Sequence, residues 1–258
     1  MGAAVTGAVP SLALPRREHG DRVRSRRGVS VYQWFLAAGC FAGVVAGALT
    51  PSALAIGRAN FALATSLLLV PALLGARVWF VLLHWSSFRR EPRLIWHRSG
   101  GGSALYGGLL LSVPLSIPLV ALAGLPFWAF WDAASVTMLV GLLFTRIGCS
   151  LNGCCRGVET TRWFGLRLPD TRGNWRRRVP TQPIEAAWAA VALVVAVLID
   201  GRLPFAGFLF LTVLAGYAAL RLALDRTRAE RVGRGANLVA SALLVSAGVT
   251  LCLAWWIP

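Results

Sequence analysis

The sequence predicts an all-α, polytopic membrane protein with about seven transmembrane helices and a small polar head between the fourth and fifth. Three observations carry that expectation. Hydrophobic residues make up 57% of the 258 and charged residues only 14%, against roughly 45–50% and about 25% in ordinary soluble domains. The mean hydropathy is +0.65, too little polarity to cover a water-soluble particle. Finally, residues 28–57, 59–76, 99–131, 133–145, 186–199, 203–220 and 235–258 contain no Asp, Glu, Lys or Arg. A helix needs about 20 mainly apolar residues to cross the hydrocarbon, whereas a barrel strand needs about 10, and in lipid a continuous run must satisfy its own backbone groups.

Residues 1–29 are of another material. They hold Arg16, Arg17, Arg22, Arg24, Arg26 and Arg27 with few large apolar side chains, and read as a flexible tail. The rest, 30–258, forms the membrane domain, with 150–183 as head loop. The first helix is expected over 31–50. Ala53-Leu54-Ala55 follows it like a signal-peptidase site, but the run exceeds the roughly 7–15 apolar residues of a cleavable core, so it is read as a span. The second helix covers 62–84 and encloses Arg77. The third, 104–124, opens on Gly101-Gly102-Ser103 and Tyr106-Gly107-Gly108. The fourth, 128–149, and the fifth, 184–200, take in the lone charges Asp132, Arg146 and Glu185. The sixth and seventh cover 204–224 and 236–256. Trp79, Trp85, Trp128, Trp131, Trp255 and Trp256 lie near predicted ends, as an interfacial belt does.

The loop 150–183 is rich in Arg, Gly and Trp and too polar for hydrocarbon. With seven helices it shares a face with the tail, 85–103 and 225–235, and together these carry 21 of the 26 basic residues. All 26 are arginine, whose planar fork suits phosphate and whose charge persists at any working pH. The expected partner is therefore an anionic lipid headgroup and the bilayer, not nucleic acid: there is no zinc-finger pattern, RNP-like motif or P-loop. The arginine count alone places this face in the cytoplasm.

Arg77, Asp132, Arg146, Glu185, Arg221 and Asp225 fall within or at the ends of spans. Each costs about 2.5–3.5 kcal/mol at a helix centre, so such residues turn inward, pair, and mark a site by default; the bland alternative is snorkelling to the interface. Arg221 and Asp225, four apart, share a helix face and can bond one another. Beyond pairing with such acids, the arginines can hold a phosphate ligand. The densest polar run is 146–157, where Gly148, Gly153 and Gly157 permit sharp turns or close approach to a ligand, and Arg146 and Asn152 can aim donors into one pocket. Pro180-Thr181-Gln182-Pro183-Ile184-Glu185 opens helix five, with Thr181 as cap.

Arg146-Ile147-Gly148, Asn152-Gly153 and Gly157, then Pro180-Thr181-Gln182 and Glu185, then Gly216-Tyr217, Arg221 and Asp225-Arg226, resemble in type and order the prolipoprotein diacylglyceryl transferase family. Tyr32, and Arg77 in Leu74-Gly75-Ala76-Arg77-Val78, also match, and the likeness spans about 30–230. The resemblance implies transfer of the diacylglyceryl group of phosphatidylglycerol to the lipobox cysteine thiol of a prolipoprotein, in the plasma (inner) membrane of a bacterium, with no cofactor and no metal. It makes Arg146, Asn152, Tyr106 and Arg221 the catalytic set. Tyr32, Arg77, Gly107, Gly108, Gly153, Gly157, Gln182, Glu185, Tyr217 and Asp225 become substrate-binding, Glu185 and Asp225 by positioning arginines.

The chain departs from the family's pattern in three respects. Tyr106-Gly107-Gly108 stands where the family has His-Gly-Gly; histidine accepts a proton near neutral pH, whereas tyrosine titrates near 10, so the proton acceptor is unassigned. His97 is nine residues away, and His84 and His19 read as solvated. Cys149 and Cys154 stand where the family commonly has Asn and an acid. Zinc wants four ligands, and Cys149, Cys154 and Cys155 offer three at best, so they read as small residues packing a crowded turn; a vicinal disulfide would be strained. The family's head faces the periplasm, and that orientation is expected here because head and site arginines inflate the count. The rival readings are a lipid-binding relative that has lost the activity or uses another acceptor, and a transporter, for which no inverted repeat is visible.

Overall fold

A computed structural model describes residues 31–89, 92–95, 105–170, 173–229 and 234–256. The chain runs α1 (Val31–Ala48), α2 (Pro51–Ile56), α3 (Arg58–Leu83), α4 (Trp85–Phe88), a 3-10 turn (Pro92–Ile95), α5 (Leu105–Leu122), α6 (Phe127–Asn152), β1 (Leu166–Pro169), β2 (Trp175–Arg178), α7 (Thr181–Ile199), α8 (Phe208–Asp225) and α9 (Arg234–Trp256). The fold is that of a mainly helical, multi-pass membrane protein. Five helices, α1, α3, α6, α7 and α8, are long and apolar enough to cross a membrane. Shorter apolar stretches lie at 106–122 in α5 and 237–248 in α9. The expected tail, with its six arginines, lies outside the described residues, as do His19, His97 and 101–103.

The head carries what an all-helical reading omits: β1 and β2 pair antiparallel, with Leu166 opposite Arg178 and Pro169 opposite Trp175. Helix boundaries differ for local reasons. α6 runs to Asn152 because its C-cap, Gly153, takes φ +70°, where a Cβ would sit 2.5 Å from the Asp170 carbonyl carbon; this is the left-handed cap glycine favours. α7 begins at Thr181, not 184. Thr181 does not cap it, since no side chain does; its hydroxyl instead donates to the Cys155 carbonyl at 3.2 Å. α2 starts where Thr50 caps it, accepting from the Ala53 N–H at 3.1 Å with Pro51 following, and it ends at Gly57, which takes φ +95°.

α6 is the central element, packing against α1, α2, α5, α7 and α8. Its contact with α1 rests on glycines four residues apart: Cβ atoms at Gly39, Gly43 and Gly47 would come within 2.7 Å or less of Phe144, Thr137 O and Thr137 Oγ1. Without hydrophobic drive between helices in lipid, close approach of backbones supplies the attraction. Around the far end of α6 the Phe61 and Phe130 rings lie 5.5 Å apart and Trp131 packs at a tilt against Phe210, 4.8 Å between centroids. Trp131 is therefore core and not interfacial belt; its Nε1–H donates to Ser116 Oγ at 3.0 Å. Trp85 and Trp128 are exposed as expected, while the side chains of Trp255 and Trp256 lie outside the described residues.

Asp132, read from sequence as one of the charges that mark a site, has a structural task. It is 1% exposed, and its carboxylate accepts the N–H groups of Gly207 at 2.6 Å and Phe210 at 3.0 Å. It thus satisfies orphan donors at the start of α8 and meets the positive end of that helix.

Gly107 also sits at a crossing. A Cβ there would lie 2.2 Å from Trp79 Cβ and 2.4 Å from Gly75 O, on α3. Gly107→Ala is expected to cost about 1–3 kcal/mol through overpacking, read as a lower midpoint of thermal unfolding in detergent; an unchanged midpoint would refute this packing role.

Candidate active site

Four elements bring charges to one point in the apolar interior. α6 supplies Arg146, α7 Glu185, α8 Tyr217 and Arg221, and the segment after α8 supplies Arg228. Glu185 is 0% exposed. One of its oxygens pairs with Arg146 Nε; the other lies 3.3 Å from Arg221 Nη1 and 3.5 Å from Arg228 Nη2. Tyr217 closes the ring: its hydroxyl accepts from Arg146 Nη2 at 2.9 Å and donates to Glu185 at 3.3 Å. Three guanidiniums against one carboxylate leave net positive charge among these side chains. The Nε of Arg228, moreover, is buried without a hydrogen-bond acceptor among the described residues. Such a group of donors can hold an anion.

Arg228 was not singled out in the sequence. It lies in a polar, arginine-rich stretch that nothing local distinguishes, and its position depends on pairing distant in sequence. Gly157 bridges Arg228, Val158 N–H donates to Thr227 O at 2.8 Å, and Ala229 N–H donates to Arg156 O at 3.1 Å. Gly157 is tightly held, since a Cβ would be 2.2 Å from Val179 O. The head adds a second cluster in which Glu159 pairs with the buried Arg178 at 3.1 Å and with Arg176 at 3.2 Å.

The polar run after Arg146 folds against the start of α7. Gln182 Nε2 donates to Cys154 O at 2.8 Å, and both side chains are buried. Tyr32 on α1 packs with Cys149 and Cys154. The three thiol sulfurs of Cys149, Cys154 and Cys155 lie within 4.8 Å of one another, and Cys155 takes φ +56°, the single non-glycine at positive φ among the described residues.

A cavity of about 240 Å³ runs from this corner between α1, α3, α5 and α6. On α6 its wall includes Phe130, Ala134, Met138, Gly141, Thr145, Arg146 and Cys149, one helical face extending roughly 28 Å at 1.5 Å per residue. That is close to the hydrocarbon thickness of about 30 Å. The wall is apolar along most of its length and polar at one end.

The remaining expected residues lie as follows. Asn152 ends α6, half-buried. Tyr106 is buried, its hydroxyl bonded to Ser241 on α9, and lies near enough to Arg221 for electrostatic interaction. Gly108 lines the cavity, where a Cβ would be 2.9 Å from Ala72 O. Arg77 donates from Nε to Ile95 O at 3.0 Å, with its guanidinium 5.6 and 5.5 Å from the Phe80 and Phe88 rings. Asp225 is buried at the end of α8.

These features define a class: a multi-pass membrane protein whose apolar intramembrane cavity ends, through Arg146, at a buried arginine cluster. The model of the prolipoprotein diacylglyceryl transferase family matches residues 25–257, and the chain belongs to that family. It is 29% identical to the phosphatidylglycerol–prolipoprotein diacylglyceryl transferase of Shouchella clausii, over 72% of this chain and 70% of that protein. It is 26% identical to the enzyme of the same name from Bacillus cereus strain G9842, over 93% of this chain and 89% of that one.

Glu185→Ala is expected to cost about 3–5 kcal/mol, because buried guanidiniums lose their counter-charge. Arg228→Ala should cost less, since Glu185 keeps two partners. Thermal unfolding of the two variants side by side checks the order, and the reverse order would contradict the shared carboxylate.

Proposed function

We propose that the protein transfers the diacylglyceryl group of phosphatidylglycerol to the lipobox cysteine thiol of a prolipoprotein, in the plasma membrane of a bacterium, with seven helices crossing the bilayer. The observation that carries this reading is that Arg146 lines the polar end of the apolar cavity and joins it to the cluster of Glu185, Tyr217, Arg221 and Arg228. A phospholipid has the same two-part character, acyl chains and a phosphate.

The reaction is alkyl transfer to sulfur. The acceptor thiolate attacks the glyceryl carbon that carries the phosphate. A carbon–sulfur bond forms, the carbon–oxygen bond breaks, and its electron pair leaves on the phosphate oxygen of glycerol phosphate. Negative charge therefore grows on the phosphate in the transition state, where fixed donors act most strongly. Arg146 binds that phosphate, Arg221 and Arg228 stabilise the charge as it develops, and Glu185 and Tyr217 position the guanidiniums. The cavity holds acyl chain, with Tyr32 and Gly108 in its wall. Asn152 and Gln182 orient polar groups of the substrates, with Gly153 and Gly157 shaping the turn beside them. Arg77, Asp225 and the Tyr106-Gly107 corner support the site from behind.

In cells depleted of their own transferase, the wild-type chain is expected to add a diacylglyceryl mass to a lipobox reporter. Arg146→Ala should lower that by about 10²-fold or more, the scale of losing one preorganised transition-state donor. An unmodified reporter beside well-expressed wild-type protein would refute the activity. The head faces the periplasm on this reading. Trp163→Cys, at an 88% exposed position of the head, should accordingly be labelled in intact spheroplasts by a membrane-impermeant thiol reagent, in a background whose native thiols do not react. Protection until lysis would reverse the orientation.

A further inference from the structure

The transfer reaction needs a thiolate, and the cavity supplies no ordinary base for making one. Among the described residues that line it there is no histidine, aspartate or glutamate. The position at which the resemblance expects histidine is Tyr106, whose hydroxyl is bonded to Ser241. What the polar end of the cavity holds instead is three sulfurs. Cys149, Cys154 and Cys155 all line it, with their Sγ atoms within 4.8 Å of one another. Tetrahedral coordination at the usual Zn–S length of about 2.3 Å sets sulfurs roughly 3.8 Å apart, so a small inward movement closes the set.

The backbone is shaped for this convergence. Adjacent residues in extended chain send their side chains to opposite sides. At Cys155 the chain adopts φ +56° instead, a conformation a non-glycine residue takes at a cost and one that clusters at functional sites. Its result is that neighbouring Cys154 and Cys155 both bring sulfur to Cys149. Gln182 and Thr181 fix the turn by donating to the carbonyls of Cys154 and Cys155.

We propose that Cys149, Cys154 and Cys155 form a three-thiolate zinc site whose open fourth position takes the acceptor cysteine as its thiolate. Three protein ligands with one position left for substrate is the arrangement of a catalytic zinc, as against the closed four-ligand structural site. All-sulfur ligation selects a soft metal ion. A thiol that ligates zinc is deprotonated outright. When the acceptor sulfur binds, its proton leaves; the zinc-bound sulfur then attacks the glyceryl carbon, the carbon–oxygen bond breaks onto the phosphate, and the thioether dissociates from the metal. The displaced proton ends on glycerol phosphate or solvent. Charge fits as well: zinc with three thiolates is anionic, and it sits beside Arg146 and Arg228, which interact electrostatically with Cys155.

The inference rests on the transfer reading, and its test keeps the two apart. The full chain, purified without chelator in nanodiscs of phosphatidylglycerol and phosphatidylcholine, is assayed for metals by mass spectrometry. About one zinc per chain is expected, falling roughly 10-fold or more in Cys149→Ser, Cys154→Ser and Cys155→Ser and unchanged in Cys40→Ser. Circular dichroism identifies any variant that has lost its helices. In that event the wild-type protein loaded with cobalt decides alone: its sulfur-to-cobalt absorption should shift on addition of a lipobox peptide and not of the same peptide with serine for cysteine. Absence of stoichiometric zinc, copper in its place, or a cobalt spectrum indifferent to the peptide thiol would overturn the site. Zinc and a responsive spectrum without lipid transfer would sink the transferase reading and leave the site standing. Wild-type transfer rates in protein free of metal would do the reverse.

Discussion

The structure depends on one carboxylate. Glu185, fully enclosed, is shared by guanidiniums from α6, α8 and the segment beyond α8. Bringing each of these ions out of water costs several kcal/mol even after relaxation, and only their mutual pairing makes the interior arrangement tolerable. The same pairing ties elements far apart in sequence: Arg146, Glu185 and Arg221 converge because α7 and α8 pack against α6, and Arg228 joins them through its bridge to Gly157. It leaves the guanidiniums in excess, so the point that holds the bundle together is also the point with capacity for an anion.

Around that point the elements divide their labour. α6 presents small-residue contacts to α1 on one side and the cavity wall on another, and delivers Arg146 and Cys149 where that wall ends. α7 opens on Thr181, Gln182 and Glu185, so a single helical turn both pins the cysteine-bearing turn and supplies the counter-ion. The bridge between Gly157 and Arg228 holds the third guanidinium from outside the helices.

Much of this was legible in sequence wherever the physics is local. Charge-free runs reveal helices because a bilayer leaves few alternatives, and arginines inside them stand out because they are costly there. Arg146, Glu185 and Arg221 stood out on that ground, whereas Tyr217 entered only through the family resemblance. The failures are non-local. Arg228 owes its place to pairing with the chain around Gly157, which no local pattern encodes. Asp132 looked like the site acids, but its partners are backbone N–H groups at the start of α8, and backbone donors leave no mark in a sequence. Gly107, expected to contact substrate, also sits where α5 crosses α3, a packing role its sequence context does not announce. Trp131 has the position of an interfacial residue and the surroundings of a core one. The hairpin escaped because its strands are only four residues each and lie in a segment whose composition says only that it is polar.

The cysteines expose a further limit of counting ligands along a chain. Three thiols at positions 149, 154 and 155 fall one short of a structural zinc site, and on that arithmetic alone they are packing residues. The arithmetic assumes that every ligand belongs to the protein. In an enzyme whose acceptor is itself a thiol, a site short by one sulfur is complete only when substrate is bound, and its deficiency becomes the means of recognition. The same logic governs the arginines, whose uncompensated charge is a deficiency until an anionic headgroup arrives. Two incomplete half-sites, one lacking a sulfur and one lacking an anion, meet at the polar end of a single cavity. Together they match the two reactants of a transfer from phosphate oxygen to sulfur.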